Sequence, residues 1–261
     1  MITQILWALA PLFVQMLLLS MVGSMVNRAT LRLFGKFFYF LLMWPGVVVH
    51  ELSHLIGCVI TRTKVHRVHF FSPQQEGSTM VLGYVEHDRP RNPLAQMIVS
   101  GAPFFGGATA ILMTMYFFLP LTTPLTLSPI MVTTPDFLGF IRAFVHAFEG
   151  YAQVMFAVAG TLDWFSWKSY AFLYVLFSLA AHVAPSRTDL VHALQGAALL
   201  GMLLIAVQWF ATRFSQPLAL TFVSWIAHAS GALTVLLGYG LAILLCAALL
   251  LGTITLFVRR Q

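Results

Sequence analysis

The chain has 261 residues, of which 59% are hydrophobic and only 8% are charged. Soluble domains carry roughly 25% charged residues, so this composition excludes a soluble globular protein and predicts an integral membrane protein built mainly of helices. The formal net charge is +6. In a membrane protein, basic residues reflect loop orientation and contacts with lipid headgroups. We therefore expect the lipid bilayer, and not a nucleic acid, as partner.

Six apolar stretches are long enough to cross the hydrocarbon core, which takes about 20 helical residues. The first has no basic segment before it and no small-residue cleavage site, so it predicts a retained anchor helix rather than a signal peptide. A shorter stretch, 217–229, is either a re-entrant piece or an extension of the last helix. The six stretches are residues 3–25, 37–60, 93–119, 169–185, 190–212 and 231–257.

The expected fold is all-α and polytopic: a single membrane domain over residues 1–261, with about six transmembrane helices. Its orientation is indicated by the basic residues, because cytoplasmic loops carry an excess of lysine and arginine. A cytoplasmic N-terminus places eight of the fourteen basic residues inside, which favours that orientation, although the basic loop 27–36 argues against it. We expect a multi-pass protein of the plasma or inner membrane.

The polar connector 61–92 follows the second apolar stretch. Apolar and polar side chains alternate in residues 65–71, and a second β-prone run follows at residues 79–85. Between the two runs lies a turn-forming segment that contains proline and glycine. The pattern predicts a small β-hairpin beside the membrane, between the second and third helices.

Residues 137–160 form a second unusual connector. Arg142, His146 and Glu149 are spaced by four and three residues, which places them on one helical face. We expect an amphipathic helix at the membrane interface, with the apolar residues on the opposite side. The alternative is an ordinary span with a few polar residues facing the bundle. The apolar residues are Leu138, Ile141, Val145 and Phe148.

Acidic residues inside apolar spans are costly and tend to be functional. Glu51 lies in the stretch 37–60 between His50 and His54, in the pattern H-E-x-x-H. On a helix, residues four apart lie about 40° apart around the axis, so both imidazoles can bind one ion. Glu51 lies about 100° from His50 around the helix axis. It can therefore reach a water molecule bound to the ion without being a ligand itself, as a general base must. The alternative is a set of core histidines, but each buried polar group would then need its own partner.

Catalytic zinc commonly has three protein ligands and an open position for water. Asp189 is the strongest candidate for the third ligand, since it follows Pro185 between two apolar stretches. Its alternative role is the N-cap of a helix that begins at Leu190, paired with Arg187. The prediction is one zinc ion per chain, bound by His50, His54 and Asp189.

Other polar residues lie near these positions in the sequence. His182, Ser186 and His192 could bind substrate carbonyls or an oxyanion, although ordinary hydrogen bonds between helices would explain them equally well. Cys58 follows His54 by four residues and could be a spare ligand, but a small buried residue is the better interpretation.

An H-E-x-x-H motif in a hydrophobic span, a short β-connector, a small-residue span and a later intramembrane Asp resemble the site-2 protease family of intramembrane zinc metalloproteases. The M50B-like branch is the most similar. The resemblance covers roughly residues 40–195. It is carried by Val49-His50-Glu51-Leu52-Ser53-His54, Gly77-Ser78-Thr79, Ser100-Gly101-Ala102-Pro103 and Pro185-Ser186-Arg187-Thr188-Asp189.

The resemblance implies that His50, His54 and Asp189 bind zinc and that Glu51 activates water. It also implies a catalytic core at about residues 37–212, flanked by the anchor helix 3–25 and the C-terminal helix 231–257. Pro103, together with His182 and Ser186, would contact the substrate. The sequence departs from the family in two motifs. Phe104 and Phe105 follow Pro103 without the usual Asn; in the final motif His182 replaces the Asn, Asp189 lies one residue closer to the Pro, and Leu190 replaces the Gly.

The residues predict metal-assisted hydrolysis, and the resemblance implies that the bonds hydrolysed are peptide bonds of a transmembrane protein substrate. Such a substrate must unwind locally, and the edge of the hairpin could hold it as an added strand. A non-proteolytic zinc-binding scaffold or regulatory subunit is the alternative, and it would have no need of Glu51. An ion-relaying transporter is disfavoured by the motif spacing and by the lack of a repeated half. A homo-oligomer or a partner in a membrane complex stays open.

Overall fold

The computed structural model describes residues 2–76, 79–120, 122–123, 125, 127–132, 134, 136–183 and 187–258. This part of the chain is mostly helical, which confirms the predicted all-α class. Four of its helices, α1, α2, α5 and α6, are long and apolar enough to cross a membrane. The helices are α1 (Ile2–Thr61), α2 (Pro93–Phe118), α3 (Phe137–Thr161), α4 (Trp167–Val183), α5 (Arg187–Phe214) and α6 (Gln216–Val258).

Helix α1 contains both of the first two predicted stretches. Its path is interrupted at Gly35, which has φ 72° and ψ 176°, a conformation that glycine adopts without the steric cost of a side chain. The break divides α1 into a first arm before Gly35 and a second arm after it. At the other end of the chain, residues 217–229 and 231–257 form the single helix α6, so the shorter stretch extends the last helix and is not a separate re-entrant piece.

The connector between α1 and α2 is an antiparallel hairpin, as predicted. It consists of two nested strand pairs rather than one, because the predicted second strand is divided into two. The outer pair is β1 (Val65–His69) with β4 (Tyr84–His87), and the inner pair is β2 (Gln74–Glu76) with β3 (Thr79–Val81). The imidazole of His66 donates a 2.8 Å hydrogen bond to the Asp88 carboxylate, and this bond lowers the pKa of Asp88. Gly77 and Ser78, quoted for the family resemblance, lie outside the described residues.

Helix α3 begins after Asp136, whose side chain accepts a 2.6 Å hydrogen bond from the Gly139 amide. An exposed polar face is present, on which His146 contacts Glu149 at 3.2 Å. The prediction that the apolar residues lie opposite this face is wrong. At 100° per residue they lie beside the polar face, and all four are exposed: Leu138, Ile141, Val145 and Phe148. The packed face consists of Phe144, Ala147, Tyr151, Val154 and Val158.

Small residues allow close contact between the helices that carry the predicted site. A Cβ atom on Gly46 of α1 would lie 2.0 Å from the backbone oxygen of Ser178 on α4, and one on Gly106 of α2 would lie 2.0 Å from Ser53 Oγ on α1. Gly196 of α5 is equally close to α2, with the Met97 side chain 2.3 Å from its ideal Cβ position. These contacts hold α1, α2, α4 and α5 together around the second arm of α1.

Substituting Gly46 by alanine is expected to destabilise the protein, although alanine is the better helix former by about 1 kcal/mol. The new methyl group would overlap a backbone carbonyl, which cannot rotate away, and overpacking costs about 1–3 kcal/mol or more. We expect a lower Tm in detergent. Gly101→Ala is the matched control, since nothing lies within 4 Å of its Cβ position; a Gly46→Ala protein as stable as Gly101→Ala would contradict the prediction.

Candidate metal centre

Three side chains with metal-binding atoms converge between α1 and α5. His50 and His54 lie on the second arm of α1, and Asp189 lies in the first turn of α5. The Oδ2 atom of Asp189 is 3.9 Å from His50 Nε2 and 3.5 Å from His54 Nε2. One ligand atom from each residue lies within 4.8 Å of the other two. Among the described residues, this is the group that could hold a metal ion.

The helices explain why these atoms meet. The two histidines are one turn apart on α1, and their ring centroids are 4.9 Å apart. Helix α5 already begins at Arg187, so the alternative role of Asp189 as the N-cap of a helix starting at Leu190 is wrong. A carboxylate in the first turn is favoured by the helix dipole. The three side chains are only 11–17% exposed.

Hydrogen bonds on the far side of each ring determine which nitrogen faces the centre. His50 Nδ1 is 2.8 Å from the backbone oxygen of His182, and His54 Nδ1 is 2.9 Å from that of Val99. A carbonyl oxygen only accepts hydrogen bonds, so each Nδ1 carries the proton and donates it. Each Nε2 therefore presents a lone pair to the centre, which is how outer hydrogen bonds orient histidine ligands in metal sites.

The electrostatics of this arrangement call for a cation. Two Nε2 lone pairs and a carboxylate oxygen are all electron-rich acceptors, and they repel one another unless positive charge lies between them. A proton on one imidazole would join only that histidine to Asp189. A single metal ion would satisfy all three atoms, and two imidazole nitrogens with one carboxylate oxygen are a donor set that suits zinc.

Glu51 adjoins this group but is not a member of it. The side chain is buried, with 8% of the residue exposed, and it packs under the β-connector. An ideal Cβ atom on Gly83 would lie 2.9 Å from Glu51 Cγ and 2.8 Å from the Phe70 carbonyl oxygen. Position 83 therefore has room only for a glycine. Because Gly83 has no side chain, the backbone of the connector can lie directly over Glu51. Sequence reasoning missed Gly83, although a glycine within a strand pattern indicates close backbone approach.

Helix α4 is hydrogen-bonded to α1 in the turns that precede His50. Pro45 has no N–H group, so the carbonyl of Leu41 lacks its usual helical donor. The hydroxyl of Tyr174 donates to that carbonyl at 2.6 Å, and the Gly46 amide donates to Ser178 Oγ at 2.8 Å. These two bonds fix α4 against α1, with the His182 carbonyl facing His50.

Comparison with protein-family models, with curated proteins and with solved structures finds no match. The similarity to site-2 proteases therefore rests on the motifs in the sequence, and the candidate metal centre rests on its own geometry. The chemistry of this site has to be argued from the residues that form it.

The remaining predicted residues differ in their positions. His182 contributes its backbone oxygen to the site, and its ring nitrogen Nδ1 is 3.1 Å from the Ser178 carbonyl. Pro103 is buried within α2. Cys58 is fully buried and outside the metal-binding group, in keeping with a small packed residue. Pro185 and Ser186 lie outside the described residues.

An apolar groove of about 840 Å³ runs along α1 beside the candidate metal centre. It is bordered by α1, α2, α5 and α6, and Leu52, Ser53 and Ile56 form part of its wall. Gly101 lines the groove, whereas Gly107 packs against Val183. The small residues of α2 thus serve both helix packing and the shape of the groove.

Proposed function

We propose that the chain is an intramembrane zinc metalloprotease that hydrolyses peptide bonds of membrane-embedded protein substrates. One observation carries the proposal: the Nε2 atoms of His50 and His54 and a carboxylate oxygen of Asp189 converge, while each Nδ1 is held by a backbone carbonyl. Glu51, a buried acid, lies beside them without being needed as a ligand. This combination fits a hydrolytic metal site better than a structural ion pair.

His50, His54 and Asp189 would hold one zinc ion per chain. When bound, zinc supplies Lewis acidity, which makes water a stronger acid and polarises the scissile carbonyl. Glu51 accepts the proton from the attacking water and then delivers it to the leaving amine. The backbone carbonyls of Val99 and His182 hold the two imidazoles in the productive tautomer throughout.

Substrate binding involves the elements that surround this site. A helical substrate has its carbonyls engaged in hydrogen bonds, so it must unwind before hydrolysis. The hairpin formed by β1 and β4 reaches Glu51 through Gly83, and an added strand on its edge would bring an extended segment to the acid. His182, Ser186 and Pro103 stay predicted as substrate-contacting residues through the family resemblance alone.

The proposed topology has six spans: the two arms of α1, then α2, α4, α5 and α6, with α3 at the interface. Basic residues in the β-connector favour a site on the cytoplasmic side of a plasma or inner membrane. A non-proteolytic zinc-binding subunit would use the same ligands but would have no function for Glu51. A homo-oligomer or a larger membrane complex is compatible with this topology.

The zinc site can be tested by metal analysis of the protein purified in a mild detergent. We expect one zinc per chain, and we expect His50→Ala to lose it because two of the three ligands hold a catalytic ion poorly. His228→Ala is the matched control, since His228 is exposed on α6 and bonds only its own helix within the described structure. Zinc retained by His50→Ala, or absent from the wild type, would overturn the assignment.

A further inference from the structure

Helix α2 contains a proline in its interior, Pro103, and this residue is buried. An interior proline costs a helix about 3 kcal/mol relative to alanine, because it removes one hydrogen bond and crowds the preceding turn. In a membrane-spanning helix the carbonyl that loses its donor also needs another partner. The position of Pro103 therefore calls for an explanation in terms of what the freed carbonyl does.

The freed carbonyl belongs to Val99, four residues before Pro103. His54 Nδ1 is 2.9 Å from this oxygen. Val99 is 1% exposed and His54 is 8% exposed, so water does not compete readily for the bond. The carbonyl that lacks a helical donor because of Pro103 is therefore the one that accepts the imidazole N–H of His54.

We propose that Pro103 is a positioning residue of the metal centre. By having no N–H group, it leaves the Val99 carbonyl to His54, and this bond directs His54 Nε2 towards His50 and Asp189. The inference rests on metal binding in the proposed function and does not depend on proteolysis. It gives Pro103 a role that acts through His54 rather than through contact with substrate.

The surrounding packing supports this role. A Cβ atom on Gly57, one turn after His54, would lie 3.1 Å from Val99 Cα, so α1 and α2 approach closely where the bond forms. His50 also uses a backbone acceptor, the His182 carbonyl of α4, at 2.8 Å. Both imidazoles are thus held by backbone carbonyls of neighbouring helices.

Two other roles for Pro103 make different predictions. If it only bends or packs α2, replacement would alter stability without a specific effect on the metal. If it only contacts substrate, cleavage would change while zinc affinity stayed the same. A positioning role predicts weaker zinc binding even though alanine is the better helix former.

The test is Pro103→Ala, which restores an N–H group that competes for the Val99 carbonyl. We expect zinc affinity, measured by competition with a chromogenic chelator, to fall by about 10–100-fold, as is typical for lost outer hydrogen bonds. The absorption spectrum of the cobalt-substituted protein should also change, because the His54 ring is no longer fixed. Pro11→Ala is the matched control: Pro11 is also buried inside a helix, and its replacement should leave affinity and spectrum unchanged.

Unchanged zinc affinity in Pro103→Ala, or equal losses in both proline variants, would overturn the inference. Should Pro103→Ala fail to fold, Pro103→Ser restores the same N–H and must show the same loss. A wild-type protein that binds no zinc would instead refute the proposed function, so the two failures are distinguishable.

Discussion

Replacing Glu51 by glutamine is expected to abolish cleavage of membrane substrates while zinc stays bound. Glutamine keeps the size of the side chain but cannot accept the proton of the attacking water at neutral pH. General-base catalysis contributes about 10²–10⁴-fold to a rate, so we expect the remaining cleavage to be too slow to detect beside the wild type. Zinc should remain because the metal-binding group consists of His50, His54 and Asp189.

The measurement compares membranes from cells that express the wild type or Glu51→Gln. Labelling of new protein N-termini should reveal cleavage products that appear only with the wild type. Glu149→Gln is the matched control, because Glu149 is an exposed acid on α3 and its replacement should leave the products unchanged. The same products from Glu51→Gln at the wild-type rate would remove Glu51 from the mechanism.

The stability of Glu51→Gln separates lost chemistry from lost fold. Glu51 is buried against the β-connector, and an uncharged amide of the same shape is less costly to bury than a carboxylate. We therefore expect a Tm no lower than that of the wild type. A zinc-bound, stable and inactive variant would support the enzyme, whereas a zinc-bound wild type that forms no products would favour the scaffold.

The local part of the candidate site could be predicted from the sequence because it depends only on helix periodicity. His50, Glu51 and His54 have one arrangement on a helix, whatever surrounds them. Asp189 could be singled out as an acid beside apolar stretches, where charge is costly. Its distance from the histidines depends on tertiary packing, such as the contact of Gly196 in α5 with α2. No local sequence pattern indicates that contact.

The acceptors of the two Nδ1 protons could not be predicted, since every residue has a carbonyl. Prolines inside apolar runs do give a signal: each frees the carbonyl four residues earlier, as Pro45 does for Leu41 and Pro103 for Val99. The apolar and polar pattern of the sequence also could not predict that α1 is divided at Gly35 or which side of α3 is packed. Glycine occurs in helices as well as at breaks, and the packed face of α3 is chosen by its neighbour α6.

Asp189→Asn is expected to lower zinc affinity by more than about 100-fold, beyond the loss typical of an outer hydrogen bond. The side chain keeps its shape, but an amide is a much weaker zinc ligand than a carboxylate. Chelator competition on the purified protein measures the loss directly. Asp163→Asn is the matched control, since Asp163 is exposed and its Oδ1 atom accepts from the Phe165 amide, a bond that asparagine retains.

The metal-free protein should respond in the opposite direction. At an alkaline pH where His54 is neutral and no cation is bound, the Asp189 carboxylate faces the His54 Nε2 lone pair at 3.5 Å, and these two acceptors repel each other. The amide of asparagine can donate an N–H to that nitrogen and carries no charge to bury. At that pH we therefore expect the Tm of metal-free Asp189→Asn to equal or exceed that of the metal-free wild type.

A lower zinc affinity together with an unchanged or higher Tm of the metal-free variant would exclude misfolding as the cause of zinc loss. A misfolded variant would lose both affinity and stability. They would also distinguish a metal centre from a histidine–aspartate ion pair. An ion pair loses its attraction when Asp189 becomes neutral, so the metal-free variant would be less stable at a pH where His54 is protonated. A lower metal-free Tm together with undiminished zinc affinity would therefore assign Asp189 to an ion pair.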